Sequence, residues 1–137
     1  MSRTKWTLRI VLAVAMIAVG ASHFLAPAGF VKIVPRALPY PLVLVYVSGF
    51  FEIAGGAGLL AARTERAAAW GLVLLYVAVF PANINMAVNQ IQPEGMTLSP
   101  ALFWLRLPLQ IVLIAWAWWM TRRSPRAPAS GRERPGA

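Results

Sequence analysis

Six side chains in this sequence could do chemistry where water is scarce: His23, Glu52, Tyr76, Asn83, Arg106 and Gln110. Glu52 stands in SGFFEIAGG, inside a run that is otherwise apolar or small from Pro41 to Ala62. An ionised side chain at the centre of a bilayer costs ~2.5 to 3.5 kcal/mol on insertion scales, so Glu52 should face inward with a partner or hold a proton. Arg106 is the one cation expected at comparable depth, and its planar fork can hold a carboxylate through two hydrogen bonds. Glu52, Arg106 and His23 are therefore the candidate catalytic groups. His23, in ASHFLAP, titrates in model compounds near about 6.5, which suits a proton donor or acceptor at a cavity mouth. The plainer reading of His23 is a hydrogen bond to the end of its own helix.

The elements that must position these groups are four apolar runs, at 6–26, 41–62, 67–88 and 100–121. Each is near the ~20 residues that a helix needs to cross about 30 Å of hydrocarbon. The predicted class is an all-α integral membrane protein, a bundle of four transmembrane helices occupying 1–122. The basic remainder, 123–137, is rich in proline and glycine and reads as a disordered cytoplasmic tail. Arg3, Lys5 and Arg9 before an apolar stretch would also suit a cleavable signal. Apolar character continues through Phe24 and Leu25, which favours an uncleaved first helix.

Ten of the 13 lysines and arginines would share one side of a membrane, with Lys32 and Arg36 opposite and Arg106 inside a span. By the positive-inside bias both termini should be cytoplasmic. RTER, at 63–66, forces the second and third helices into an antiparallel hairpin. The segment from Ala26 to Pro41 mixes Phe30, Ile33 and Val34 with prolines, and is expected to lie on the outer interface as a short amphipathic turn or cap.

Helix direction and rise then assign depth. At 1.5 Å per residue, Glu52 lies about 16 Å below Pro41, Gln110 about 15 Å below the outer boundary, and Asn83 and Arg106 roughly 5 to 10 Å below it. Ser48, Glu52 and Gly55 fall on one side of the second helix, and Arg106 and Gln110 on one side of the fourth. Tyr76, Asn83 and Gln90 share a face of the third. The expected interior is one polar cluster of Glu52, Asn83, Arg106 and Gln110, with Arg106 answering Glu52 and Tyr76, Asn83, Arg106 and Gln110 lining a cavity. Gly49, Gly55, Gly56 and Gly58 should admit close helix packing. Pro81 and Pro108 each free a carbonyl one turn earlier, which nearby amide side chains could satisfy.

Composition narrows the chemistry. The chain is 59% hydrophobic and 12% charged, well below the quarter or so usual for soluble domains. Its net charge of +9 sits at the ends of apolar runs rather than on a continuous basic face, so nucleic acid is not an expected partner. The lipid bilayer is. With no cysteine, the chain alone can form no disulfide, thiolate metal site or thiol redox centre, and with one histidine no bis-histidine haem. No metal site is expected, and the reading leans against an enzyme acting as an isolated chain.

In order, GASHFLAPAGFVKIVPRALPYP, LVYVSGFFEIAGGAGLL, AAAWGLVLLYVAVFPANINMA and FWLRLPLQIVLIAWAWW resemble the small bacterial DoxX-like membrane proteins, over residues 10–119. The resemblance implies a four-helix bundle at the bacterial inner membrane and an association with quinone-linked redox complexes, with His23, Glu52, Asn83 and Arg106 carried onto a site. The layout is also similar to that of four-helix quinone-dependent thiol oxidoreductases. Their chemistry needs cysteine pairs and is not carried over.

Three functions follow as expectations. The favoured one is a protein with an outward-facing polar cavity that binds a small molecule and serves a membrane redox system as subunit or accessory factor. Quinone enters only through the resemblance. An alternative is a non-catalytic assembly or stability protein in which Glu52 and Arg106 form a structural pair. The other is a proton-coupled carrier of a small solute, acting as a homo-oligomer.

Overall fold

The computed structural model describes residues 2–92 and 97–122. They form five helices: α1 (Arg3–Leu25), α2 (Pro27–Ile33), α3 (Pro41–Leu60), α4 (Glu65–Val88) and α5 (Pro100–Thr121). The four long ones are each long and apolar enough to cross a membrane. The expected tail, 123–137, lies outside the described residues. Where a short amphipathic turn or cap was anticipated between the first two spans there is a short helix, α2.

Local chemistry sets the helix ends. The Ser2 side chain accepts a hydrogen bond from Lys5 N at 3.2 Å, an N-cap that satisfies one of the first-turn donors. Pro27, Pro41 and Pro100 open α2, α3 and α5, where a missing N–H costs nothing. At the end of α4, Gln90 takes a left-handed φ of 51° and Ile91 N bonds Met86 O at 3.1 Å, closing the last turn. Gln92 then clamps Leu98 through both backbone groups, holding the two described ends of the α4–α5 connection together.

Successive long helices run antiparallel. Gly56 abuts Ala13 while Gly49 abuts His23, so α3 descends along α1. Gly58 meets Ala68 while Gly55 meets Leu72, so α4 returns along α3. The glycines of α3 thus serve two neighbours, Gly49 and Gly56 facing α1 and Gly55 and Gly58 facing α4. A Cβ at Gly20 would stand 2.7 Å from Gly49 O, closer than any side chain tolerates. Two backbones can approach this far only where neither carries a side chain, which is how membrane helices associate without a hydrophobic drive.

The main core is drawn from all four long helices: Leu12 and Met16 of α1, Leu59 of α3, Leu72 and Tyr76 of α4, and Ala117 and Met120 of α5. A smaller core joins Met86 and Ala87 of α4 to Phe103 of α5, with Ile33 of α2 packed against it. Outward positions such as Val14, Leu74, Ile111 and Val112 are exposed and apolar, compatible with contact to lipid chains.

Candidate functional site

The buried face of α3 runs Val45, Gly49, Glu52, Gly56 and Leu59. This stripe, rather than one through Ser48 and Gly55, carries the carboxylate into the α1–α3 contact. Glu52 is 6% exposed and His23 8% exposed, and His23 Nδ1 stands 3.2 Å from Glu52 Oε2. The same Nδ1 is 2.9 Å from the carbonyl of Val19, one turn back in α1. A carbonyl can only accept, so Nδ1 carries the proton. The His23 ring is held from its other side by Phe30 of α2, stacked with ring centres 3.9 Å apart and planes at 19°.

The expected pairing of Glu52 with Arg106 is therefore corrected. Glu52 meets His23, while Arg106, exposed on α5, donates from Nη2 to Asn83 Oδ1 at 3.4 Å. Asn83 in turn donates to Gln110 Oε1, and Gln110 Nε2 donates to the carbonyl of Tyr76 at 2.8 Å. The single cluster anticipated from depth is in fact two. One is the acid–base pair between α1 and α3, and the other a polar chain, Arg106–Asn83–Gln110–Tyr76 O, between α4 and α5. Rotation about each helix was not read from the sequence, and neither was relative level: His23, expected at the cavity mouth, stands level with Glu52.

Tyr76 ties the polar chain to α1. Its backbone carbonyl ends the α4–α5 chain, and its hydroxyl donates to Met16 Sδ of α1. The carbonyl that Pro81 frees is the next one, of Val77, so the Gln110 bond is a tie between α4 and α5 rather than repair of the proline site. Asn85 instead donates to Ile33 O at 2.9 Å and ties the end of α2 to α4.

Two cavities flank α2. One, of about 230 Å³, is walled by His23 and Phe30, by Ser48 of α3 and by Ala78, Val79 and Ala82 of α4. Its lining is apolar except for His23 and Ser48, and the Ser48 hydroxyl is turned to Val45 O at 2.9 Å. The other, of about 240 Å³, holds Arg106 and Gln92. Phe30 and Ile33 line both and stand between them. Of the expected cavity-lining set, Arg106 lines the second cavity, whereas Asn83, Gln110 and Tyr76 are spent on one another. His23, expected at the mouth, lines the first.

Sequence reasoning missed Arg9 and Glu65. Arg9 is 8% exposed and ion-paired with Glu65 at the start of α4. The signal was present: Lys5, Arg9, Leu12 and Met16 recur at helical spacing, so Arg9 belongs to the buried face of α1 and not to a solvated end. Phe30 was grouped only with the apolar residues of the cap. Among the described residues no group of three or more His, Asp or Glu could hold a metal ion.

A buried acid–base pair beside an apolar cavity, in a chain with four helices long and apolar enough to cross a membrane, defines a class: a small all-helical membrane-type protein with a polar site near α2. The chain belongs to the family described as a domain of unknown function, DUF8561, whose model matches residues 12–121. Neither a curated protein nor a solved structure matches it.

Proposed function

We propose that this is a bacterial inner-membrane protein, with both termini cytoplasmic, that binds a small apolar molecule with a polar head in the cavity beside His23. In this reading it serves a membrane redox system as a subunit or accessory factor. The observation that carries it is the pairing of an almost wholly apolar cavity of about 230 Å³ with a histidine whose other side faces a buried carboxylate. Ligand sites have this composition, mostly apolar with a few placed polar groups, although a drug-sized molecule needs roughly 300–1,000 Å³. The cavity suits a head group rather than a whole ligand. The surplus of basic residues at the end away from α2 supports the orientation and makes the cavity outward-facing.

The chemistry follows from the tautomer. With Nδ1 protonated, neutral His23 has Nε2 free to accept, so it can take a proton from a ligand hydroxyl. Glu52 Oε2, 3.2 Å from Nδ1, then stabilises the resulting imidazolium by its charge, while the Nδ1 proton stays on the Val19 carbonyl. A quinone head group, the class suggested by the DoxX-like resemblance, fits an apolar slot with one such polar wall group. When bound it would supply the electron-carrying chemistry, and the chain's own residues would bind, orient and move one proton. Solvent extraction of the purified protein followed by mass spectrometry tests this. A stoichiometric quinone or other small apolar molecule is expected; an empty extract together with full function of Glu52→Gln would sink the redox reading.

The close Gly20–Gly49 crossing favours one other reading, in which the His23–Glu52 pair only locks α1 to α3 in a non-catalytic assembly protein. The two readings part on ligand content. A lock needs none.

A further inference from the structure

At the end of the molecule remote from α2, the turn between α3 and α4 and the end of α5 enclose a cleft of about 580 Å³. Arg63, Arg66 and Arg122 line it, together with Trp70 and one carboxylate, Glu65. The charge of Glu65 is taken by Arg9, so the cleft is left strongly positive. Arg122 is placed rather than loose: its guanidinium stacks 4.0 Å from the Trp118 ring centre, and its carbonyl accepts a hydrogen bond from Lys5 Nζ at 2.6 Å. Lys5 itself lies over the Trp119 ring, 5.3 Å from its centre.

We propose that this cleft binds the phosphate group of an anionic membrane lipid. Guanidinium groups match phosphate oxygens in pairs, and a basic pocket among helices at the positive end of a membrane protein is the setting in which lipid phosphates are held. Trp70, 43% exposed on the wall of the cleft, is the side chain that spans the boundary between head group and hydrocarbon. A free phosphate would use the arginines and make no use of the apolar wall formed by Trp70 and Met120. The inference is independent of the cavity beside His23, since the two sites lie at opposite ends of the helices.

The test uses the purified full chain in neutral detergent, titrated with phosphatidylglycerol, with phosphatidylcholine, or with inorganic phosphate, and read by native mass spectrometry. Arg63→Gln/Arg66→Gln is compared with Lys32→Gln/Arg36→Gln, which removes the same charge from exposed residues at the other end. The wild type should retain phosphatidylglycerol over phosphatidylcholine, the first variant should lose at least tenfold in that retention, and the second should keep it. Unchanged retention in the first variant, or equal losses in both, would overturn the site. Inorganic phosphate binding as well as the lipid would overturn the lipid as its occupant.

Discussion

His23 of α1 and Glu52 of α3 meet at 3.2 Å one turn from the point where Gly20 and Gly49 bring the two backbones together. The pair exists because the crossing is close, and the crossing is close because both helices lack a side chain there. Arg106 belongs to a different network. Double-mutant cycles separate these relationships: His23→Gln and Glu52→Gln should couple by about 0.5–3 kcal/mol in unfolding free energy, whereas Glu52→Gln and Arg106→Gln should add to within about 0.5 kcal/mol. Coupling in the second cycle and none in the first would restore the pairing of Glu52 with Arg106.

Gly49 should tolerate no side chain. Its Cβ would stand 2.7 Å from His23 Cβ and 2.9 Å from Gly20 O, so Gly49→Leu must part α1 from α3. Overpacking of this kind costs about 1–3 kcal/mol, read as a lower Tm by circular dichroism in detergent. Gly71, where a Cβ would meet nothing within 4 Å, is the control, and Gly71→Ala should not lower Tm.

Arg9 is buried while the Glu65 side chain is 38% exposed. Removing the carboxylate strands a buried guanidinium; removing both charges does not. Glu65→Gln should therefore destabilise more than Arg9→Met/Glu65→Gln, because stranding one partner of a buried pair is the costly event. The same melts check it, and the reverse order would show that the pair contributes nothing to the fold.

Asn85→Ala should loosen α2 without disturbing the four long helices. The Asn85 amide is the hydrogen bond given to Ile33 O at the end of that helix, and a neutral bond of this kind contributes roughly 1 kcal/mol. Hydrogen exchange should quicken over Pro27–Ile33 while exchange in α1 and α3 stays slow. Unchanged exchange over α2 would mean that its packing against Phe103 and Met86 holds it without Asn85.

The four spans were legible because length and hydropathy are properties of one segment at a time. Their observed limits differ from the expected ones by a few residues at most, at the N-terminus of α1 and around the α3–α4 turn. Position along one helix was legible for the same reason: counting from Pro41 puts Glu52 just past the middle of α3. Which side chain it met was not, since that depends on the rotation of each helix against its neighbour, set by where glycines allow contact. Gly20, three residues before His23, was the missing clue; the glycines of the second span were read and their partner in the first was not. Asn83 and Gln110 were taken for cavity walls because of their polarity, yet they bond each other across α4 and α5, and Gln110 also bonds the Tyr76 carbonyl.

The chain has a single histidine, so its imidazole gives one assignable set of side-chain signals in a histidine-labelled protein. Titrating the labelled wild type in detergent with a short-chain ubiquinone analogue tests directly whether the cavity beside His23 is a ligand site. The account predicts a saturable shift of the His23 Nε2 resonance, abolished by Ala82→Leu, which fills the cavity from α4. No shift in the wild type, or the same shift in Ala82→Leu, would contradict it.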